Sequence, residues 1–131
     1  MNIQTAQIKA ADKVVSRNAL LKVAPEMNRL QQLSEANRTE VLAFLQLRPV
    51  HTVVMTSFIQ DNGIDNADNR GIFYGYRSQQ GTLEGVALIG HTTLVEARSD
   101  DSLVAFALIA RQSVTPIHIM MADGKTIETF W

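Results

Sequence analysis

The chain has 131 residues, 46% of them hydrophobic and 19% charged, with a formal net charge of -1 and no cysteine. This composition is unlike that of disordered chains, and no run of lysine or arginine suits a nucleic-acid backbone or an anionic membrane. The absence of cysteine excludes disulfides and thiolate metal sites. With neither a signal-peptide core nor a spanning segment, we expect one domain over residues 1–131 in the cytoplasm, without nucleic-acid or membrane partners.

The first half of the chain is predicted to contain one short strand and two helices. The strand is expected near residues 19–23. Asn37 is followed three residues later by Glu40, which is the spacing of a capping box, and the apolar residues after it predict a helix that ends before Pro49. The next stretch, VHTVVMTSFIQDNG, contains β-branched residues typical of strands, but its apolar side chains share one helical stripe. Because Gly63 can end a helix, we expect a second helix there.

A β-hairpin is predicted in the middle of the chain. The polar residues 64–70 predict a loop. Two apolar runs, over residues 72–76 and 83–89, are joined by the turn sequence SQQG and predict paired strands. Gly90 interrupts the second run, so we expect a bulge or a break there, followed by a strand over residues 92–97.

The last part of the chain is predicted to contain a helix, a strand and the start of a further helix. Residues 99–102, Ser-Asp-Asp-Ser, offer an N-cap and two acids that complement a helix dipole. That helix should end near residues 112–113, ahead of a strand over residues 117–122. The predicted order β-α-α-β-β-β-α-β-α(start) indicates an α/β fold with a mixed, mostly antiparallel sheet flanked by helices. Because the chain ends on Phe130-Trp131, where polar residues are usual, we expect the natural protein to continue.

Four stretches, together with this element order, carry a family resemblance. RPVHTVVM, DNG, FYGYR and LEGVALIGH resemble the N-terminal region of two-part bacterial proteins of the GNAT (GCN5-related N-acetyltransferase) superfamily. In such proteins a GNAT-like first half precedes a second half that carries the acetyl-CoA site. Over roughly residues 34–131, the resemblance implies a GNAT-like sheet here. It also implies that the partner is the C-terminal half of the same protein, where acetyl-CoA would bind.

The cofactor loop of the superfamily has the pattern Gln/Arg-x-x-Gly-x-Gly/Ala between a central strand and the following helix, where backbone N–H groups hold the pyrophosphate. The equivalent junction here, VEARSDD at residues 95–101, has no glycine and places two carboxylates where phosphate charges would lie. Gly81 and Gly85 lie in the hairpin and open no helix. The resemblance and this junction together predict a domain that binds no acetyl-CoA itself. We expect a non-catalytic scaffold, or a part of the substrate cleft beside the second half.

Three side chains are candidates for a general base. His91 follows Gly90 at the expected break in the sheet, where a GNAT fold would separate two strands to admit a substrate. Glu96 and Glu84 flank the same strands, and either carboxylate could deprotonate an amine. The alternative interpretation is that both are solvated carboxylates at a strand edge.

Two tyrosines are candidates for the wall of a substrate cleft. Tyr74 and Tyr76 fall on one face of the first hairpin strand, and they either line a pocket with Gly90 and His91 or pack in the core. The three histidines of the chain are too far apart in sequence to form a metal-ligand pair on one element, so no metal site is expected.

Two further functions remain open at this point. The chain could be an acetyltransferase in its own right, with an atypical acetyl-CoA site and His91 or Glu96 as its base. It could instead be a module for self-association or protein interaction, forming a homodimer through an exposed sheet edge or an apolar surface.

Overall fold

Five strands form one mixed sheet in the computed structural model, which describes residues 25–113, 119–122 and 126–128. Their order across the sheet follows the chain. The strands are β1 (Leu30–Gln32), β2 (Gly71–Arg77), β3 (Leu83–Gly90), β4 (Thr92–Ala97) and β5 (Ile119–Met121). The α-helices are α1 (Arg38–Gln46), α2 (Val53–Asn62) and α3 (Asp100–Gln112).

Strands β1 to β4 pair in antiparallel fashion, and β5 joins β4 in parallel. A parallel pair needs a crossover connection, and α3 lies in the chain between β4 and β5. The predicted α/β fold, with a mixed and mostly antiparallel sheet flanked by helices, is confirmed. None of the helices in the described ranges is long and apolar enough to cross a membrane.

The two faces of the sheet carry separate apolar clusters. Successive side chains of a strand point to opposite faces, and in β3 Val86 and Leu88 join one cluster while Ala87 and Ile89 join the other. Helices α1 and α2 cover the first face with buried residues such as Phe44. Helix α3 covers the second face. The sheet is therefore packed on both sides, and its strand ends are the places where side chains can meet solvent.

The start of α1 differs from the prediction. Asn37 and Glu40 do not form a capping box. The Asn37 side chain accepts a hydrogen bond from the Ser34 N–H at 3.0 Å, because a 3₁₀ turn over Glu35–Asn37 begins the helical segment one turn earlier. Glu40 instead forms an ion pair with Arg77 on β2, at 2.7 Å. The carboxylate therefore ties the helix to the sheet.

The other elements lie close to their predicted positions. Residues 50–63, whose sequence was compatible with either a strand or a helix, contain the helix α2. This helix is followed by Gly63, which has φ of 80°. The hairpin, the interruption at Gly90 and α3 are confirmed. The strand predicted near residues 19–23 lies outside the described residues. The first described strand is β1, which was not predicted.

Candidate functional site

The candidate residues fall at the two ends of β4 and on β2, which β3 separates from β4 in the sheet. Gly90 and His91 lie just before the start of β4, and Glu96 lies close to its end. The junction between β4 and α3 follows directly after Glu96. Tyr74 and Tyr76 lie on β2. The two ends of β4 differ in how their polar groups are used.

At the junction between β4 and α3, the backbone N–H groups of Arg98, Ser99 and Ser102 are bonded within the protein. Ser99 is the N-cap of α3, and its hydroxyl oxygen accepts from the Ser102 N–H at 3.1 Å. The Ser102 hydroxyl oxygen accepts in turn from the Ser99 N–H at 3.3 Å, which completes a capping box. The Arg98 N–H donates to the Glu84 carbonyl at 2.8 Å. The first turn of α3 also contains Asp100 and Asp101, so its charge complements the helix dipole from within the chain.

The carboxylate of Glu96 is buried, with 4% of the residue exposed. The Arg98 Nε donates to Glu96 Oε2 at 2.8 Å, and the Arg48 Nη1 lies 3.4 Å from the same oxygen. The interpretation of Glu96 as a solvated carboxylate is therefore wrong. Glu84 is half-buried, and its carboxylate accepts a hydrogen bond from the Ser99 hydroxyl at 2.9 Å. Both carboxylates thus hold the junction together.

Helix α1 is the reason that Glu96 is buried. The guanidinium of Arg98 lies over the Phe44 ring, 4.1 Å from its centroid, and donates to the Phe44 carbonyl at 3.1 Å. The end of α1 and the Arg98 side chain together cover the Glu96 carboxylate. To act as a general base, Glu96 would have to leave two guanidinium groups, which is energetically costly for a buried charge.

A small cavity lies where β5 stops pairing with β4. The last paired residues are Leu94 and Met121. Beside them is a cavity of about 150 Å³ between α2 and the two strands. Most of its walls are apolar, and the lining residues are His51, Val54, Met55, Leu94, Val95, Met121 and Ala122.

A larger groove, of about 470 Å³, lies at the other end of β4, where β2 begins and β3 ends. It is lined by Arg70, Gly71, Ile72, Ile89, Gly90, His91 and Ser113. Gly90 and His91, which the sequence had singled out for a substrate cleft, both line this groove, and the other two cleft candidates, Tyr74 and Tyr76, do not. Arg70 was missed. The only local signal for it is a cation directly before a strand that starts with glycine.

The backbone at this groove is closely packed. Gly71 and Gly90 are directly opposed in the β2–β3 ladder. A Cβ atom at Gly90 would lie 2.6 Å from the Arg70 carbonyl oxygen, and one at Gly71 would lie 2.8 Å from the Ile89 carbonyl oxygen. Only glycine fits either position without a shift of the chain. Arg70 itself has φ of 60° and ψ of 33°, in the left-handed region.

The two tyrosines lie away from both cavities described above. Tyr76 is 1% exposed and packs in the cluster beneath α3. Its hydroxyl accepts a hydrogen bond from the Glu26 N–H at 3.2 Å, and burial raises the pKa of the Tyr76 hydroxyl above its usual value. Tyr74 packs against the same cluster and is half-buried. Their positions fit the interpretation as core residues.

Within the described part of the chain, no group of three or more histidine, cysteine, aspartate or glutamate side chains has an arrangement that could hold a metal ion. Comparison of the chain with models of known protein families, with curated proteins and with solved structures gives no match in any of the three. The function is therefore argued from the geometry of the two ends of β4.

Proposed function

We propose that this chain is a non-catalytic, GNAT-like domain that serves as a scaffold or substrate-cleft partner for a second, acetyl-CoA-binding half of the same protein. The observation that carries the proposal is the closed junction between β4 and α3. In the superfamily that the sequence resembles, this junction is where the pyrophosphate of acetyl-CoA would bind.

The element order supports the resemblance. Among the described residues, β1 is followed by two helices, three antiparallel strands, a helix and a parallel strand. From α1 onward this order matches the predicted one, with α3 crossing from β4 to β5, whereas the strand predicted at residues 19–23 lies outside the described residues. The superfamily assignment remains part of the proposal, because the architecture by itself specifies only an α/β fold with a mixed sheet.

The chemistry of the junction opposes binding of a pyrophosphate. A helix N-terminus binds phosphate through N–H groups that point outward without internal acceptors. Here the N–H groups of Arg98, Ser99 and Ser102 have acceptors inside the protein. Asp100 and Asp101 add two negative charges in the same turn, and like charges at short range repel a phosphate.

Titration of the ¹⁵N-labelled chain with acetyl-CoA tests the proposal, with calorimetry in parallel. We expect the amide signals of residues 97–102 to stay unchanged as acetyl-CoA is added. Saturable shifts at these amides, with a micromolar dissociation constant, would overturn the proposal and favour an acetyltransferase with an atypical cofactor site. The double variant Asp100→Asn/Asp101→Asn is the matched control. We expect it also to leave these amides unshifted, because the capping box still occupies the N–H groups of Ser99 and Ser102.

A second candidate function, self-association, is favoured by a separate observation. Between α1 and α2, three large apolar residues are exposed: Leu47 by 72%, Val50 by 82% and, at the first residue of α2, Val53 by 57%. Clustered apolar residues on a surface often mark an interaction site. The same surface would serve for contact with a second half of the protein.

Sedimentation of the purified chain distinguishes these uses of the apolar surface. If the chain self-associates through it, the wild type is dimeric at high concentration and the variant Leu47→Ser/Val50→Ser is monomeric. A wild-type chain that stays monomeric throughout argues against self-association and leaves the scaffold function unaffected.

A further inference from the structure

We propose that the groove at the start of β2 binds a small organic oxyanion, with the Arg70 guanidinium as its charged contact. The ligand class is a carboxylate or phosphate carried on a short apolar group. This inference goes beyond the scaffold function, which needs no ligand at this end of the sheet.

The backbone of Arg70 is held in a conformation that does not suit arginine. With φ of 60° and ψ of 33°, the residue lies in the left-handed region that glycine and asparagine favour. It is the C-cap of the 3₁₀ turn Ala67–Asn69, and its N–H donates to the Ala67 carbonyl at 3.0 Å. The Arg70 carbonyl accepts in turn from the Thr92 N–H at 3.4 Å. Unfavourable conformations that the surrounding structure maintains are concentrated at ligand contacts.

Arg70 also differs from most other arginines of the described ranges in its charge partners. Five arginines of the described ranges lie within ion-pairing distance of a glutamate: Arg29, Arg38, Arg48, Arg77 and Arg98. Among the same described residues, no carboxylate lies within that distance of the guanidinium of Arg70 or of Arg111, and of these two arginines Arg70 is the one that borders the groove. Arg70 is exposed and borders the groove. Its positive charge is therefore available for a ligand.

The floor of the groove is backbone. The two strands lie so close together where Gly71 opposes Gly90 that neither position has room for a Cβ atom. No side chain from either position therefore projects between the strands. The resulting volume of about 470 Å³ falls within the range of roughly 300 to 1,000 Å³ that is usual for small-molecule sites.

The walls indicate the chemistry of the ligand. Ile72 is 43% exposed and forms an apolar surface that a short hydrocarbon group would cover, whereas Ile89, opposite it in the ladder, is 4% exposed and belongs to the core beneath. The guanidinium has a planar pair of donors that matches a carboxylate or phosphate. Ser113 brings the C-terminal end of α3 to the groove, where carbonyl groups contribute a partial negative charge. Arg111 in the last turn of α3 offsets that charge.

Amide mapping of two probes tests the proposal. The ¹⁵N-labelled chain is titrated with sodium butyrate and with sodium phosphate, and sodium chloride at matched ionic strength serves as the reference. Butyrate carries both the anion and the apolar group, whereas phosphate tests the anion alone. We expect saturable shifts of the Gly71, Ile72 and Gly90 amides with butyrate, and smaller shifts at the same amides with phosphate. Absence of localised shifts with both probes would overturn the proposal.

The variant Arg70→Gly separates the guanidinium from the fold. Glycine accepts the left-handed conformation, so the variant should fold, and the butyrate dissociation constant should rise about tenfold or more because a charge-assisted contact is lost. Arg38→Ala is the matched control, since it removes a half-buried arginine of α1 from the other face of the sheet, and we expect it to bind butyrate like the wild type. Equal binding by Arg70→Gly would overturn the proposal.

A second variant keeps the test decisive if Arg70→Gly does not fold. Arg70→Lys retains a positive charge but not the planar pair of donors. We expect weakened binding that still maps to the groove, and unchanged affinity would count against recognition by the guanidinium. The acetyl-CoA titration of the junction reads different amides, at residues 97–102. A result that overturns the oxyanion proposal at the groove is therefore distinguishable from one that overturns the scaffold proposal at the junction.

Discussion

The two ends of β4 use their polar groups in opposite ways. At its C-terminal end, Glu96 and Arg98 form a buried ion pair, and Ser99 and Ser102 cap the next helix. At its N-terminal end, an exposed arginine in a left-handed conformation borders an open groove. At the C-terminal end, the buried carboxylate and the capping N–H groups have partners within the protein. The second end presents a positive charge to solvent.

The contrast bears on where a ligand can bind on such a sheet. A strand-to-helix junction looks suited to anions because of the helix dipole, but here the chain supplies its own acids and acceptors. A strand end without a helix N-terminus is usually a weaker candidate. In this molecule, however, it combines space with a cation that has no carboxylate partner in the described residues. The predictions that follow alter one end at a time.

The variant Arg98→Ala should have the largest effect, because it opens the closed end. It leaves the Glu96 carboxylate buried with only Arg48, at 3.4 Å, and it removes the contact with the Phe44 ring. Loss of one partner from a buried ion pair is strongly destabilising, and we expect the free energy of unfolding to fall by about 3 kcal/mol. Urea denaturation measures the change.

The double variant Glu96→Leu/Arg98→Met is the control for that experiment. Replacing both partners leaves no buried charge without its partner, so most of the stability should return. If the double variant is as unstable as Arg98→Ala alone, then the packing of the Arg98 side chain, rather than the ion pair, holds the closed end.

The variant Gly90→Ala should have the next largest effect, at the open end. Its Cβ atom would lie 2.6 Å from the Arg70 carbonyl oxygen and 2.7 Å from the Gly71 Cα. Because these are backbone atoms, the strands must move apart, and we expect a loss of about 2 kcal/mol in the free energy of unfolding. Gly81→Ala serves as a comparison, since no atom lies within 4 Å of the added Cβ atom there.

The loss of stability in Gly81→Ala separates the steric effect of an added Cβ atom from the effect of an unfavourable backbone conformation. The φ of 87° at Gly81 makes alanine unfavourable in conformation alone. A loss at Gly90 no larger than that at Gly81 would mean that the strands at the open end relax easily. Amide shifts confined to β2 and β3 in the Gly90→Ala spectrum would locate the strain at the groove.

The predictable part of the fold depends on local signals. The hairpin follows from two apolar runs with a turn sequence between them, and α3 follows from a capping serine with acids in the first turn. Strand β1 lacks such a signal, since its sequence is Leu-Gln-Gln. It is a strand because Leu30 and Gln32 lie opposite Tyr76 and Tyr74 in the sheet. Pairing between distant segments determines that element.

The candidate site was predictable only in part, for the same reason. Gly90 interrupts an apolar run, so the break beside His91 could be read locally. The burial of Glu96 could not, because the carbonyl that Arg98 binds belongs to Phe44, 54 positions earlier in the chain. The left-handed conformation of Arg70 likewise depends on the turn that it caps and on the strand that it precedes.

The variant Ser99→Ala should weaken the closed end by a smaller amount. It removes the oxygen that accepts from the Ser102 N–H, and the loss of an N-cap costs about 1 kcal/mol. Ser99→Gly is the matched control, because glycine at an N-cap costs only about 0.3 kcal/mol relative to serine. Thermal unfolding compares the two. The capping interpretation is contradicted if alanine and glycine have the same effect.

The smallest expected effect is a pH dependence of the free energy of unfolding. It comes from the carboxylates that anchor α1, the helix beside the closed end of β4. The N–H groups of Ile64 and Asp65, helped by Arg38, hold the pKa of the Glu35 carboxyl below its usual value of 4.5. A folded pKa below the unfolded one contributes stability that is present above the unfolded pKa and is lost as the pH falls through the folded pKa. The free energy of unfolding should therefore decrease as the pH is lowered below about 4.5.

Glu35→Gln should flatten this decrease, because glutamine has no carboxyl group to titrate. A ¹³C titration of the side-chain carboxyl group measures the pKa of Glu35 in the folded chain directly. The Arg77 guanidinium similarly lowers the pKa of the Glu40 carboxyl, so Glu40→Gln should flatten the decrease as well. If neither variant changes the slope of the free energy of unfolding against pH, other carboxyl groups cause the acid destabilisation. The closed end of β4 then does not depend on the anchoring of α1 by Glu35 and Glu40.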